Sequence, residues 1–346
     1  MGEKKSKLGL KFSPKYHLNY IVIVIVMAVF ASISMTGGLK RSMAQLLTQI
    51  AYSIILAVSL NLVVGFLGEL SLGHAGFMCV GAYIGCFIAK NVLTPLIPST
   101  LVVLILSMII GGMIAAMFGF IIGLPALRLS GDYLAIVTLA FGEIVRTIFK
   151  NLDVFGGALG MKTNLKFGDS LFIVAFITVL IMLFCIQNLI RSKHGRAITA
   201  IRDNVIAARA TGINVTYYKL FVFVLSAFFA GVAGVLYGYY TTPVMYSFFS
   251  YNYSIEILVM VVIGGIGNIN GSIIAATAIT YINFILQDKL SGSLAAVRFL
   301  TYALILIVVV IFNNAPALQP LREKLSIKRY FDKKKREKAK KQEVAE

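Results

Sequence analysis

The sequence predicts an all-α, polytopic integral membrane protein of about ten transmembrane helices, and three observations carry that prediction. Of 346 residues, 59% are hydrophobic and 13% charged, with a mean hydropathy of +0.88. A soluble domain is about half apolar and a quarter charged. Apolar runs of about 20 residues recur from end to end, which suits helices rather than the alternating strands of a barrel. The net charge of +18 gathers at the N-terminus, in residues 191–219 and after Leu321. That is the pattern of segments held on the cytoplasmic side, not of a nucleic-acid-binding domain.

Residues 1–17 carry Lys4, Lys5, Lys7, Lys11 and Lys15 ahead of the first apolar run, Leu18–Met35. No small-x-small cleavage site follows, so a basic cytoplasmic N-terminus leading into an uncleaved first span is expected. The runs fall at 18–36, 44–66, 72–90, 100–123, 132–150, 170–190, 218–240, 254–266, 271–286 and 294–313. Ten spans within 18–313 return the chain to the cytoplasm, with 191–217 a cytoplasmic segment and 314–346 a basic cytoplasmic tail near anionic headgroups. Eight spans keep that parity if 72–90 and 254–286 contain re-entrant or broken pieces. Lys40 and Arg41, in the loop assigned outside, run against the positive-inside rule. Without Trp, tyrosines must form the interfacial belt, and Tyr239, Tyr240, Tyr246, Tyr251 and Tyr253 flank one loop. Spacings such as Gly81/Gly85, Gly119/Gly123 and Gly234/Gly238 permit close helix packing.

Two stretches interrupt the apolar pattern in similar fashion: "VVGFLGELSLGHAGF" at 63–77 and "VVIGGIGNINGS" at 261–272. Irregular backbone at membrane depth survives where it lines a cavity or packs against protein. Gly68, Ser71, Gly73, His74, Gly264, Gly265, Gly267 and Asn268 are therefore candidates for the lining of a translocation path. Tight turns between hairpin spans are the other reading of the same residues.

The remaining polar residues mostly have structural explanations. Glu143 and Arg146, at i and i+3, read as a packing ion pair near the outer end of a span. Glu256 and Arg298 lie close enough to span ends to snorkel. Asp132 fits a helix N-cap. Cys79, Cys86 and Cys185 lack metal-ligand spacing and read as buried small hydrophobes. His74 has no partner at ligand spacing, so no metal site is expected. Of the three histidines, His17 and His194 lie in basic cytoplasmic segments, which leaves little from which an intramembrane enzyme could build a nucleophile–base pair, and no catalytic residue is assigned. No carboxylate series runs through the spans as a proton-driven carrier needs, and no phosphate loop is present, so any ATP is bound by another subunit.

The segment "RAITAIRDNVIAARATGI", 196–213, is too short and too charged to span. Ile198, Ile201, Val205 and Ala208 recur at helical spacing opposite Arg196, Asp203 and Asn204, and Gly212 is placed to end the helix. Such a helix either rests on anionic lipid or docks a cytoplasmic partner.

Within it, "AARATG" at 207–212 has the Ala-Ala-x-x-x-Gly spacing of the coupling motif in membrane subunits of ABC importers. The surrounding 192–238 stretch, "GELSLGHAGFMCVGAY" (68–83), "LRLSGDYLAIVTLAFGEIVR" (127–146) and "LVMVVIGGIGNINGS" (258–272) together resemble the permease subunits of branched-chain amino-acid (LIV-type) ABC transporters, over about residues 45–290. The resemblance implies a bacterial inner-membrane importer with two permease chains forming a heterodimer, two ATPase subunits and an extracytoplasmic binding protein. It implies that ATP and Mg sit on the ATPase, with no cofactor in this chain. It also implies a coupling role for Arg202, Asp203, Asn204, Ala207, Ala208 and Gly212. One departure is "NLDVFGGALGM" (151–161), where Phe155 precedes the paired glycines in place of the family's Thr-Gly-Gly-type segment. Related permeases also carry urea, short amides or other amino acids. A stand-alone secondary transporter is the competing class.

Overall fold

The computed structural model describes residues 23–25, 27–33, 40–129, 131–165 and 167–289, with isolated positions 304, 307 and 311. The chain divides into two compact units, Met1–Tyr281 and Ile282–Glu346, and the described residues lie almost wholly in the first. Its helices are α1 (Arg41–Leu67), α2 (His74–Leu96), α3 (Thr100–Ala126), α4 (Asp132–Asn151), α5 (Leu171–Arg191), α6 (Lys193–Asp203), α7 (Val205–Ala210), α8 (Val215–Tyr240), α9 (Tyr251–Gly264) and α10 (Ile269–Lys289). Among the described residues there is no strand; one isolated antiparallel bridge joins Met161 to Val244.

Six helices among the described residues are long and apolar enough to cross a membrane: α1, α2, α3, α5, α8 and α10 over Ile269–Leu286. The predicted span 132–150 is α4, a 20-residue helix that carries Asp132, Glu143, Arg146 and Lys150. The predicted span 254–266 is α9, whose 14 residues reach roughly 21 Å against a hydrocarbon core of about 30 Å. Within predicted span 18–36 a short apolar helix, Ile23–Ile33, is described in part; most of predicted span 294–313 and the two terminal segments lie outside the described residues.

The bundle is organised around α1 and α8. In α1, 89% of the apolar window is buried, against 39% in α3 and α5, so the first is interior and the other two present one face outward. Small residues let the backbones touch: a Cβ on Gly81 would lie 2.4 Å from Gly231 Cα, and one on Gly234 would lie 2.0 Å from the Met78 carbonyl oxygen. The small-residue spacings of α2 and α8 thus meet each other, as close packing in lipid requires. Helix geometry also yields locally: Leu62–Leu67, Gly81–Gly85 and Ala89–Leu93 are π-helical.

Several local expectations need correction. Cys185 is exposed on the outward face of α5, beside Ile181 and Phe184, because an apolar run does not distinguish a lipid-type face from a core face. Tyr239 and Tyr253 are buried rather than belted, since aromatic packing claims that end of the bundle; Tyr237 stacks on Phe248 at 4.2 Å. Asp132 is the first residue of α4, with Gly131 as its N-cap. The helix expected over 196–211 is two helices, because Asn204 adopts extended backbone (φ −158°, ψ 106°). Phe155, the departure noted above, packs its ring against Phe87 and Phe149, each at 5.0 Å.

Candidate functional site

The segment 192–214 has its ends fixed by local chemistry. The Ser192 hydroxyl accepts from the amides of His194 (3.1 Å) and Gly195 (3.3 Å), capping α6. Asn204 does the same for α7, its Oδ1 accepting from Ile206 and Ala207 at 3.0 Å each. At the far end Gly212 takes φ +82°. There the Ile213 amide donates to the Ala208 carbonyl and the Gly212 amide to Arg209, both at 3.1 Å. This crossed pair is a Schellman closure, which needs a residue that tolerates the left-handed region. Ile198, Ile201 and Ala208 are buried, while Asp203, Asn204 and Ala207 are exposed.

Arg202 faces two ways. Its Nε and Nη2 donate to Asp203 Oδ1 at 3.0 and 2.8 Å, while Nη1 donates to the Gly65 carbonyl at 3.1 Å. That carbonyl lies in the π-helical last turn of α1, where the final carbonyls have no partner further along the helix. The arginine's methylenes cross Gly68 (φ +81°), where a Cβ would sit 2.7 Å from Arg202 Cγ.

At the same point the two glycine-rich stretches meet. A Cβ on Gly65 would fall 2.3 Å from the Gly267 nitrogen. Asn61, fully buried in α1, joins them: its Oδ1 accepts from the Gly267 amide (2.9 Å) and its Nδ2 donates to Ser272 Oγ (2.8 Å). Beside this junction Lys219 of α8 forms a buried ion pair with Glu69, each side chain 10% exposed. A pair at that depth is held because removing either partner leaves an unpaired charge.

The eight path candidates divide. Gly68 and Gly267 lie at the junction under Arg202. Gly264 and Gly265 form the turn between α9 and α10, and Asn268, exposed, closes it by donating its amide to the Gly265 carbonyl (3.0 Å). Ser71, Gly73 and His74 are buried elsewhere: a Cβ on Gly73 would lie 2.4 Å from the Thr138 carbonyl oxygen of α4, and His74 Nε2 is 2.9 Å from Ser59 Oγ. Two cavities, of about 370 and 380 Å³, are lined by none of the eight. Among the described residues no group of three or more His, Cys, Asp or Glu is placed to hold a metal.

Glu143 and Arg146 form their ion pair (2.6 Å), and Glu143 Oε1 also accepts from the Tyr251 amide (3.0 Å), so the pair fastens α4 to the start of α9. The sequence reading singled out neither Asn61 nor Lys219, and held Gly65, Glu69 and Ser272 only as members of the two glycine-rich stretches. For Asn61 and Lys219 the signal was polarity out of place, an amide within the run 44–66 and a charge at the start of the run 218–240.

A family model described as "Branched-chain amino acid transport system / permease component" matches residues 42–309. The high-affinity branched-chain amino acid transport system permease protein LivM of Salmonella typhimurium is 35% identical over 282 residues, 72% of this chain and 64% of that protein. The probable LivM of Methanocaldococcus jannaschii is 30% identical over 63% of this chain and 73% of its own length. LivH of Salmonella typhimurium, a different permease protein, is 23% identical over 78% of this chain and 92% of its own. The chain thus spans a little under two thirds of the first of these relatives. No solved structure matches it.

Proposed function

The chain belongs to the permease family of branched-chain amino acid transport systems, and we propose that it is the membrane-spanning subunit of an ATP-driven importer for branched-chain amino acids. In this reading it pairs with a related second permease chain, two ATPase subunits that hold ATP and Mg, and an extracytoplasmic binding protein that selects the solute. Both termini and the 191–217 segment face the cytoplasm of a bacterial inner membrane. The similarity to both LivM and LivH, two permease proteins of one organism, supports a heterodimer.

The observation that carries the mechanism is the Arg202 contact. Segment α6–α7 is capped at both ends and bent at Asn204, whose side chain caps α7, which makes it a firm body for an ATPase to grip. The exposed residues Asp203, Asn204 and Ala207 are its docking side, and buried Ala208 with the Gly212 closure keeps its shape. Arg202 links that body to the π-helical end of α1, at the point where the glycine-rich stretches cross. Movement of the segment by nucleotide-driven closure of the ATPases is thereby passed to α1 and to the α9–α10 turn, and switches the path between outward- and inward-facing states. The path lining includes Gly68 and Gly267; Ser71, Gly73, His74, Gly264, Gly265 and Asn268 complete the set proposed for test.

The test is a mild-detergent purification of the tagged chain with its stoichiometric companions, followed by reconstituted, ATP-dependent uptake of leucine, isoleucine and valine. Companions comprising a phosphate-loop ATPase and a second permease, with uptake, support the reading. Uptake of urea, a short amide or another amino acid in place of leucine would keep the importer and change the solute. A chain that transports alone without ATP would replace it with a secondary transporter.

A further inference from the structure

At the end of α3 nearest α7, we propose a binding site for an anionic phospholipid. Its phosphate is held by Arg128 and Arg209, and one acyl chain lies along α3. A cavity of about 380 Å³ opens there between the end of α3, α7 and the start of α8, walled by Leu124, Leu127 and Val205 and carrying both arginines. Lys219 also lines it, but its charge is met by Glu69. Arg128 and Arg209 are exposed and have no acidic partner among the described residues.

The apolar half of the site comes from helical spacing. Met113, Met117, Phe120 and Leu124 recur at i, i+4, i+7 and i+11, so they share one face of α3. They are 53%, 52%, 48% and 44% exposed, a continuous outward stripe that runs into the cavity at Leu124. The face continues through Ile109, Ile105 and Leu101, 43%, 41% and 47% exposed; its part next to the cavity, from Met113 to Leu124, is roughly 17 Å long at the helical rise, close to half of a hydrocarbon core about 30 Å thick. Arg128 stands one turn further on. That nearer part has the length of one leaflet's acyl chain, with two unpaired guanidinium groups where the headgroup phosphate lies. Guanidinium donors pair bidentately with phosphate oxygens, and the Thr216 hydroxyl at the rim adds another donor. A choline headgroup would bring its own cation against the same two arginines, so the charge balance selects an anionic lipid. The site rests on membrane embedding alone and does not depend on the importer reading.

The test uses the full chain purified with its co-purifying subunits, washed free of lipid, and titrated with phosphatidylglycerol or phosphatidylcholine, with bound lipid counted by native mass spectrometry. Phosphatidylglycerol should be retained preferentially. The double variant R128A/R209A should lose roughly thirtyfold of that affinity, two cationic contacts being removed near an anionic headgroup. R128K/R209K should recover most of it, and K193A, an exposed charge on α6, should bind as the wild type does. If the double alanine variant does not accumulate, R209A alone should lose roughly fivefold. Wild-type-like binding by the alanine variants overturns the proposal. An equal loss in K193A overturns it too, because the attraction is then diffuse. Displacement of the lipid by millimolar inorganic phosphate would make this a free-anion site instead.

Discussion

The two glycine-rich stretches, 63–77 and 261–272, read alike in sequence, yet their glycines answer different demands. In the first, glycine mainly makes room. A Cβ would meet backbone at 2.3 Å on Gly65, at 2.4 Å on Gly73, and at 2.7 Å, the Gly142 Cα, on Gly76; Gly68 alone has positive φ. In the second, the turn glycines supply conformation. Gly265 and Gly267 take φ +93° and +79°, and a Cβ on either would meet nothing nearer than 3.4 Å, whereas the flanking Gly264 and Gly271 make room for each other, a Cβ on Gly264 falling 2.4 Å from the Ser272 nitrogen and one on Gly271 1.6 Å from the Gly264 carbonyl oxygen. The first stretch is also fastened by charge, through Glu69 and Lys219. One composition thus serves steric approach at Gly65, Gly73 and Gly76 and left-handed backbone at Gly265 and Gly267, which only substitutions of different kinds will separate.

The largest effect should come from breaking the charge that distinguishes the first stretch. Glu69→Ala leaves Lys219 buried without a partner, and a loss of about 3–5 kcal/mol is expected. It should appear as collapse of monodisperse yield and of thermal midpoint in mild detergent, with Glu69→Ala/Lys219→Met recovering much of it. An unchanged midpoint for the single variant would mean that the pair does not carry the junction. Next, Gly65→Ala forces a methyl between α1 and the α9–α10 turn, an overpacking cost of about 1–3 kcal/mol. It should lower the midpoint and abolish uptake together.

Gly267→Ala sharpens the contrast, because space is available and only φ is wrong, at about 1–2 kcal/mol. Gly267→Asn should be milder than Gly267→Ala, since Asn tolerates the left-handed region; at Gly65, where the obstacle is steric, Asn should be worse than Ala. Equal ranking at both positions would erase the proposed difference. The smallest effect is Gly212→Ala, strained by φ but free of any clash, at about 1 kcal/mol. It should quicken amide exchange in 205–213 and reduce uptake per ATP hydrolysed while leaving ATPase co-purification intact.

Much of the local architecture was legible because its causes are local. Gly212 was placed correctly as a helix end, since the Schellman closure depends on one residue's φ. The apolar positions Ile198, Ile201 and Ala208 followed from helical spacing and are buried. Asn204 as a break was not legible: hydrophobic spacing runs straight through it, and only its hydrogen bonds to Ile206 and Ala207 reveal that it begins a new helix. Cys185 and Tyr239 misled for a related reason. Hydropathy reports that a residue suits an apolar setting, not whether lipid or protein provides it.

The sequence by itself determined a helical membrane protein, a short charged helical segment within 191–217 that ends at Gly212, and the family to which its motifs belong. Hydropathy, helix caps and left-handed glycines act over a few residues, so they survive in the order of the chain. Tertiary structure alone decided that Asn61 meets Ser272 across 211 positions, that Glu69 meets Lys219 across 150, and that Arg202 reaches the Gly65 carbonyl across 137. Apolar helices pack against one another almost interchangeably as far as hydropathy is concerned. Which polar groups face each other is therefore set by where small residues let backbones approach, a property of the folded bundle and not of any one segment.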